Sequence, residues 1–228
     1  AEINECWEGF NRASFALNQG LDKIIFKPVS SVYRHFPTPV KSGVSNSLDN
    51  LSNVVTIPNN LLQGEFKKAG LNAGRFVVNT TAGILGLIDV ATYLGFEEYE
   101  KEDYGQSLAS HGAGPGCYIV LPVLGPSTAR DAAASVLNFV GGDAWYNVTV
   151  RNDTHHVSNF DYYASKVTGG VDFRAKNYDG IQVLEKNSLD FYASVKSLYL
   201  QDRQQKILNT NTIVDTQNDG DWEEIENQ

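Results

Sequence analysis

The sequence predicts an all-α fold, on two recurring patterns and the scarcity of a third. Trp7, Phe10, Ser14, Leu17, Leu21 and Ile24 follow one another at alternating spacings of three and four, the repeat of a helix with one apolar face. The same repeat returns at Val40, Val44, Leu48, Leu51 and Val55, and near the C-terminus at Ile181, Leu184, Phe191, Val195, Leu198 and Tyr199. Only Tyr146–Val150 reads as a short strand.

Taken in order, Cys6–Phe26 is expected to form one amphipathic helix, with Asn11, Arg12, Asn18 and Gln19 largely outside. Pro28, Pro37 and Pro39 punctuate the segment beyond it. Pro58 either breaks the second helix or opens the next at Asn59. Arg75–Val90 (RFVVNTTAGILGLIDV) is apolar on more than one face and carries Gly83 and Gly86. Glycine costs about 1 kcal/mol inside a helix relative to alanine. These glycines therefore imply a close approach, either of another backbone against a packed core helix or of lipid. Glu97–Asp103 reads as a solvated charge run, and Gly105–Gly116 as a glycine-rich loop. Ser127 is expected to cap a helix over Thr128–Val140 that Gly141-Gly142 ends. From Ile181 one long helix runs to about Leu208. Residues 1–208 read as a single helical domain, and the acidic tail 209–228 as disordered.

The stretch Gly116–Asp131 (GCYIVLPVLGPSTARD) is harder to place. Its apolar run is too short to span a bilayer, which takes about 20 residues. Pro122 argues against an ordinary buried strand. Two readings stay open. One is a buried connection between helices. The other is a loop whose apolar side chains face lipid tails while its backbone faces a polar channel. Amphipathic helices lying in a membrane interface suit the second.

Chemistry is sparsely signalled. The net charge of −9 argues against a surface that tracks nucleic-acid phosphates. Gly43-Val44-Ser45-Asn46-Ser47 fails the last position of a serine-hydrolase elbow, and metalloprotease and phosphate-cradling motifs are absent. The adjacent His155 and His156 point in different directions and make a poor chelate. His111 reads as a hydrogen-bonded loop residue rather than a catalytic base. No metal, cofactor or enzymatic activity is expected. Cys6 and Cys117 form no C-x-x-C pair, and are either free buried thiols or one disulfide. The chain lacks Met and opens on Ala1-Glu2-Ile3, as a processed or trimmed chain would.

An ordered series of motifs carries a family likeness. It begins with Trp7-Glu8-Gly9-Phe10-Asn11-Arg12, Phe15, Asn18, Leu21-Asp22 and Lys27-Pro28-Val29. It continues through Gly43-Val44-Ser45-Asn46, Asn50-Leu51, Asn59, Leu62-Gln63-Gly64, Arg75-Phe76, Asn79-Thr80, Gly83, Gly86 and Asp89-Val90-Ala91. The densest block is Gly105-Gln106-Ser107-Leu108, His111-Gly112, Gly114, Leu121-Pro122, Gly125-Pro126-Ser127 and Arg130-Asp131, and Ser188-Leu189-Asp190-Phe191-Tyr192 completes the series. From Cys6 to about Leu208 the chain resembles the MlaA (VacJ) family of outer-membrane lipoproteins.

The resemblance implies a ring-like arrangement of amphipathic helices in the periplasmic leaflet of a Gram-negative outer membrane, around a central amphipathic pore. Phospholipid would leave the outer leaflet through it and pass to a soluble periplasmic carrier protein, maintaining lipid asymmetry, with a trimeric porin as partner. On this reading Tyr118, Val120, Leu121, Pro122, Val123, Leu124 and Gly125 are candidates for the wall or gate of the lipid path. Ser45, Asn46 and Ser47 form a polar turn that helps shape the ring. The competing expectation is a soluble periplasmic scaffold or lipid-binding protein with no pore. The family's lipidated N-terminal Cys is not matched by Cys6, because Ile3-Asn4-Glu5 is no lipobox, so the anchor is expected upstream. Cys6 and Cys117 both stand where the family usually has Pro. In an oxidising periplasm that pairing of departures implies a Cys6–Cys117 disulfide.

Overall fold

The computed structural model describes residues 3–98, 100–141, 144–149 and 158–208, and its elements are helices apart from one small hairpin. The first helix is shorter than its periodicity suggests. Cys6 and Trp7 lie ahead of α1 (Glu8–Leu21), and Asp22–Phe26 forms a π-helical turn that leads into α2 (Lys27–Arg34). Pro28 falls in the first turn of α2, where its missing N–H costs nothing. Helix α3 (Thr38–Leu62) continues through Pro58, so that proline neither ends a helix nor begins one. Ser45, Asn46 and Ser47 are therefore helical, which overturns the expected ring-shaping turn. Ser45 is buried, and its hydroxyl donates to Asp172 at 3.2 Å across to a later helix.

Arg75–Val90 is not a core helix. Helix α4 (Phe66–Thr81) stops at Thr81, and a loop returns the chain to α5 (Val90–Tyr93). Arg75, Asn79 and Asp89 tie the loop's two ends. Arg75 Nη2 donates to Asp89 Oδ2 (2.7 Å), Asn79 Nδ2 to Asp89 Oδ1 (2.8 Å), and the Ala91 N–H to Asn79 Oδ1 (2.8 Å). Gly86, at φ +88°, packs against α3, and a Cβ there would lie 2.7 Å from Asn50 Cβ. Helix α6 (Tyr104–Ser110) occupies the first half of the expected glycine-rich loop, because the Asp103 carboxylate caps it by accepting from the Gln106 N–H (2.9 Å).

Strands β1 (Tyr118–Leu121) and β2 (Gly125–Thr128) pair antiparallel, Tyr118 opposite Thr128 and Leu121 opposite Gly125. Pro122 falls in the turn, so the objection to a strand does not apply to β1. Thr128 rather than Ser127 caps α7 (Ala129–Gly141), its hydroxyl accepting from the Asp131 N–H at 3.3 Å. The expected strand at Tyr146 is instead α8 (Ala144–Thr149). Helix α9 (Asn159–Lys176), which periodicity did not indicate, opens on a capping box of Ser158 and Asp161. The long C-terminal helix is two, α10 (Tyr178–Asn187) and α11 (Phe191–Leu208). His155, His156 and the tail 209–228 lie outside the described residues.

The buried apolar residues gather in small clusters. One is Tyr33 with Ala175, and another is Tyr118, Val120 and Tyr192, with Phe15, Tyr199 and Leu200 against it. Among the described residues, buried polar and charged side chains outnumber the buried apolar ones. No described helix is long and apolar enough to cross a membrane.

Candidate functional site

The helices are amphipathic as predicted, but they face the wrong way for a protein surrounded by water. From the residue ahead of α1 through its continuation, Trp7 is 72% exposed, Ile24 77%, and Phe10 and Leu17 about half, whereas Asn11 and Ser14 are buried. The expectation that Asn11 faces outward is thus reversed. Its side chain joins three segments. Nδ2 donates to the Cys6 carbonyl (2.7 Å), the Tyr118 carbonyl (3.3 Å) and Glu5 Oε1 (3.1 Å), and Oδ1 accepts the Val120 N–H (2.9 Å). A buried amide with all these groups satisfied fixes β1 against α1.

Helix α3 shows the same inversion at greater length. Lys41, Ser45, Asn53, Thr56 and Asn60 form one stripe at helical spacing, and all are buried. Each meets a partner inside the molecule. Lys41 Nζ donates to the Arg34 carbonyl (3.0 Å) and Ser45 to Asp172 (3.2 Å); Asn53 Oδ1 accepts from Lys101 Nζ (3.3 Å), Thr56 Oγ1 from the Glu102 N–H (3.4 Å), and Asn60 Oδ1 from Asn72 (2.9 Å). Asp49 belongs to this stripe, one turn from Ser45 and one from Asn53, yet it is exposed. An inward-pointing residue that water reaches, between buried neighbours, borders an interior space. The environment there is nonetheless enclosed. Burial holds the Asp49 carboxyl above the usual range, only partly offset by the charges of Lys101 and Lys176.

Lys101 and Glu102 are held against α3 by Asn53 and Thr56, so the segment 97–103 is not simply a solvated charge run. Glu102 is buried and accepts from Gln63 Nε2 (2.8 Å). Burial pushes the carboxyls of Glu98 and Glu102 up and the Lys101 ammonium down. Asp89, Glu98, Arg75 and Lys101 lie within one another's electrostatic reach, and the charges of Lys101, Lys176, Asp172 and Asp89 reach Asp49. Residues from α3, α4, the 97–103 segment and α9 thus converge on one charged interior.

The hairpin divides the apolar run that the sequence left unresolved. Tyr118 and Val120 are fully buried against Tyr192, so they face the protein core rather than lipid or a channel. Leu121 and Gly125 are half-buried. Val123 and Leu124, 67% and 72% exposed, project at the tip beside the exposed Pro122. Val123 holds a positive φ of 69°, costly for a β-branched residue. Asn18 holds the turn there, its Oδ1 accepting the Val123 N–H (2.6 Å) and its Nδ2 donating to the Leu121 carbonyl (2.9 Å). Cys6 and Cys117 form a disulfide with Cα atoms 5.5 Å apart, at the root of the same hairpin. Glu5 sits beside it. Burial would raise the Glu5 carboxyl, but hydrogen bonds from Lys196, Tyr192 and Asn11 hold it below its usual range.

Helix α11 is clamped to this region by Arg203. Its guanidinium bonds Asp131 through Nε (2.8 Å) and Nη2 (3.0 Å), and Asp103 through Nη1 (2.5 Å) and Nη2 (2.7 Å). Gly105 makes room for this cluster, since a Cβ there would come 2.4 Å from Asp131 Oδ1. His111 ends α6, and its Nδ1 donates to the Ser107 carbonyl (2.7 Å), so that nitrogen is not free to take a proton from Ser110 at 3.3 Å. No group of His, Cys, Asp and Glu among the described residues could hold a metal ion. Periodicity missed the inner stripe because polar residues at helical spacing read as a solvated face. The density of Asn at 50, 53, 59, 60, 72 and 79, poor helix formers all, was the available signal.

Comparison with known proteins places this architecture. The family model for MlaA lipoprotein matches residues 3–206. The intermembrane phospholipid transport system lipoprotein MlaA of Haemophilus influenzae is 30% identical over 210 residues, covering 91% of this chain and 80% of that protein. Its Escherichia coli counterpart of the same description is 31% identical over 199 residues, 85% of this chain and 74% of that one. An uncharacterized protein of Rickettsia prowazekii is 33% identical over 198 residues, 86% and 75% of the two chains. A solved structure described as a structural basis for maintenance of bacterial outer membrane lipid asymmetry superposes with a TM-score of 0.74 at 28% identity, covering 90% of this chain and 99% of that one.

Proposed function

Because this chain belongs to the MlaA lipoprotein family, we propose that it withdraws phospholipid from the outer leaflet of a Gram-negative outer membrane and passes it to a soluble periplasmic carrier, maintaining lipid asymmetry. The inverted hydrophobicity carries this reading. Trp7, Phe10, Leu17, Ile24, Ile25, Val32, Ile84 and Leu85 are each about half exposed or more. At half the transfer value of a large apolar side chain, each costs about 1 kcal/mol if it faces water. Their sum is comparable to the whole net stability of a typical domain, about 5–15 kcal/mol. Hydrocarbon around these faces removes that cost.

The same logic assigns the interior. A phospholipid headgroup crossing hydrocarbon carries an unpaired charge into an apolar medium, at a cost of several kcal/mol or more. A ring seated in the periplasmic leaflet, apolar outside and lined by Asp49, Glu98 and Lys101 within, gives the headgroup a polar path while the acyl chains stay in lipid. In this account Val123 and Leu124 at the hairpin tip are the gate, and Tyr118 and Val120 anchor its root. The exposed apolar faces that do not meet lipid would meet a trimeric porin, and a lipid anchor upstream of residue 1 would hold the ring at the membrane.

Gentle extraction followed by native mass spectrometry tests the reading. Bound phospholipid and a co-purifying porin are expected, and Leu124→Asp is expected to impair lipid asymmetry in cells. Protein that carries no lipid and ignores liposomes would leave a soluble scaffold as the better description.

A further inference from the structure

Asp49 is the residue of the inner stripe whose placement the fold does not explain. Ser45 and Asn53, one turn away on either side, are buried and engaged, but among the described residues no hydrogen bond or ion pair reaches the Asp49 carboxylate. Two lysines bracket it. Lys176 Nζ bonds Ser45 and lies 3.4 Å from Asp172, and Lys101 Nζ lies 3.3 Å from Asn53. Along α3 the order is therefore an ammonium held at Ser45, the Asp49 carboxylate and an ammonium held at Asn53, these three α3 positions lying one helical turn apart, about 6 Å for four residues. The charged groups around the space sum to one excess negative charge, Asp49, Asp89, Glu98 and Asp172 against Arg75, Lys101 and Lys176. Arg75 and Asp89 neutralise each other at 2.7 Å, and so do Lys176 and Asp172 at 3.4 Å. Arg75 also reaches Glu98 Oε2 at 3.7 Å, so among the described residues of this group the carboxylate left without an ion pair is Asp49.

We propose that Asp49 accepts the ammonium of an ethanolamine-type headgroup while Lys101 faces its phosphate, so that the passage favours amine-bearing, zwitterionic phospholipid over lipid whose headgroup has no amine. The proposal rests on the lipid-passage reading above and names the substrate class within it. The match is geometric and electrostatic. The span from phosphorus to nitrogen in an ethanolamine headgroup is of the same order as the separation of one helical turn. A primary ammonium offers donors to a carboxylate that has none among the described residues, and a charge-assisted bond of this kind strengthens where water is partly excluded. A glycerol headgroup brings its phosphate without the ammonium, and leaves Asp49 facing a net negative lipid.

The test uses full-chain wild-type protein and Asp49→Asn, each incubated with vesicles of equal phosphatidylethanolamine and phosphatidylglycerol, recovered, and analysed by mass spectrometry for bound lipid. Wild-type protein is expected to carry phosphatidylethanolamine about fivefold enriched over the vesicle ratio, the low end for one charge-assisted contact in a partly enclosed site. Asp49→Asn is expected to return to the vesicle ratio, Asp49→Glu to keep the enrichment, and Asp49→Asn to melt at or above wild type because no internal partner is lost. A wild-type ratio equal to that of the vesicles, or enrichment that survives in Asp49→Asn, would overturn the headgroup assignment alone. A lower melting temperature for Asp49→Asn would reveal an internal role for the carboxylate and would count against it too. The absence of any bound lipid in either protein would remove the passage itself.

Discussion

Replacing Arg203 by Ala separates the clamp on α11 from the rest of the fold, and its cost can be worked from the contacts. Arg203 makes two bonds to Asp131 and two to Asp103. These are not equivalent. Asp103 keeps about half its side-chain exposure, so water takes over much of that interaction and its share is about 1 kcal/mol or less. Asp131 is 7% exposed, and losing its main partner strands a carboxylate in the interior. Breaking one side of a buried pair costs about 3–5 kcal/mol. Arg130 Nε remains 2.8 Å from Asp131 Oδ1 and Tyr199 still donates to Oδ2, which argues for the lower figure. We expect Arg203→Ala to lose about 3–4 kcal/mol in all. For a chain of this size that is a fall of roughly 6–16 °C in melting temperature, measured in detergent with the disulfide intact. Adding Asp131→Asn should recover part of the loss, because the stranded charge is gone. A loss below about 1 kcal/mol, or a double variant as unstable as the sum of the two singles, would refute the assignment of a buried charge clamp.

Two further predictions concern the same framework. Asp89, Asp103 and Asp131 would be raised by burial but are held below 3.8 by their partners: Thr92, Asn79 and Arg75 at Asp89, Arg203 at Asp103, and Arg203 with Arg130 at Asp131. Groups depressed in the folded state contribute stability that is fully present above the unfolded value and is lost as pH falls through the folded one. Asp49, Glu98 and Glu102, raised by burial, act in the opposite sense, and their cost fades as pH falls through their raised values. Urea midpoints should therefore hold or rise slightly on mild acidification and drop below about pH 4, and Asp131→Asn should make that acid limb shallower. Cys6→Ser with Cys117→Ser opens a loop spanning a sequence separation of 111. It should cost about 4–5 kcal/mol in the chain-entropy model, read as a lower urea midpoint for the double variant than for oxidised wild type.

How much of this was legible in the sequence depends on the residue asked about. The spacing of Trp7, Phe10, Leu17 and Ile24 showed that a helix was there and that it had two faces. It could not show which face met solvent, because periodicity records a difference in polarity and not the medium on either side. Reading water outside put Asn11 on the wrong face. Pro58 looked like a boundary because an isolated helix loses a hydrogen bond there, but tertiary contacts along Asn53, Thr56 and Asn60 carry α3 across it. The hairpin was hidden because Pro122 was weighed as part of a strand, when it occupies the turn. Helix α9 carries Gly169-Gly170 and little apolar periodicity, so only its capping box, Ser158 to Asp161, announced it. The motif positions fared better, since most are structural hubs. Asn11, Arg75, Asp89, Arg130 and Asp131 each hold two or more segments together, Gly105 leaves room for the Arg203 cluster, and Gly86 lets a loop touch α3. Asp49 lay outside every motif, and only its accessibility between buried neighbours draws attention to it.

The central claim is that the outer faces of these helices sit in hydrocarbon while the interior beside α3 is wet. Nitroxide labels introduced singly at Ile24, Ile84 and Asp49, in protein reconstituted into lipid nanodiscs, test both halves by collision with oxygen, which concentrates in hydrocarbon, and with a water-soluble nickel chelate. We predict that labels at 24 and 84 relax with oxygen and ignore nickel, and that the label at 49 does the reverse. Nickel reaching all three sites equally, or oxygen dominating at 49, would contradict the account.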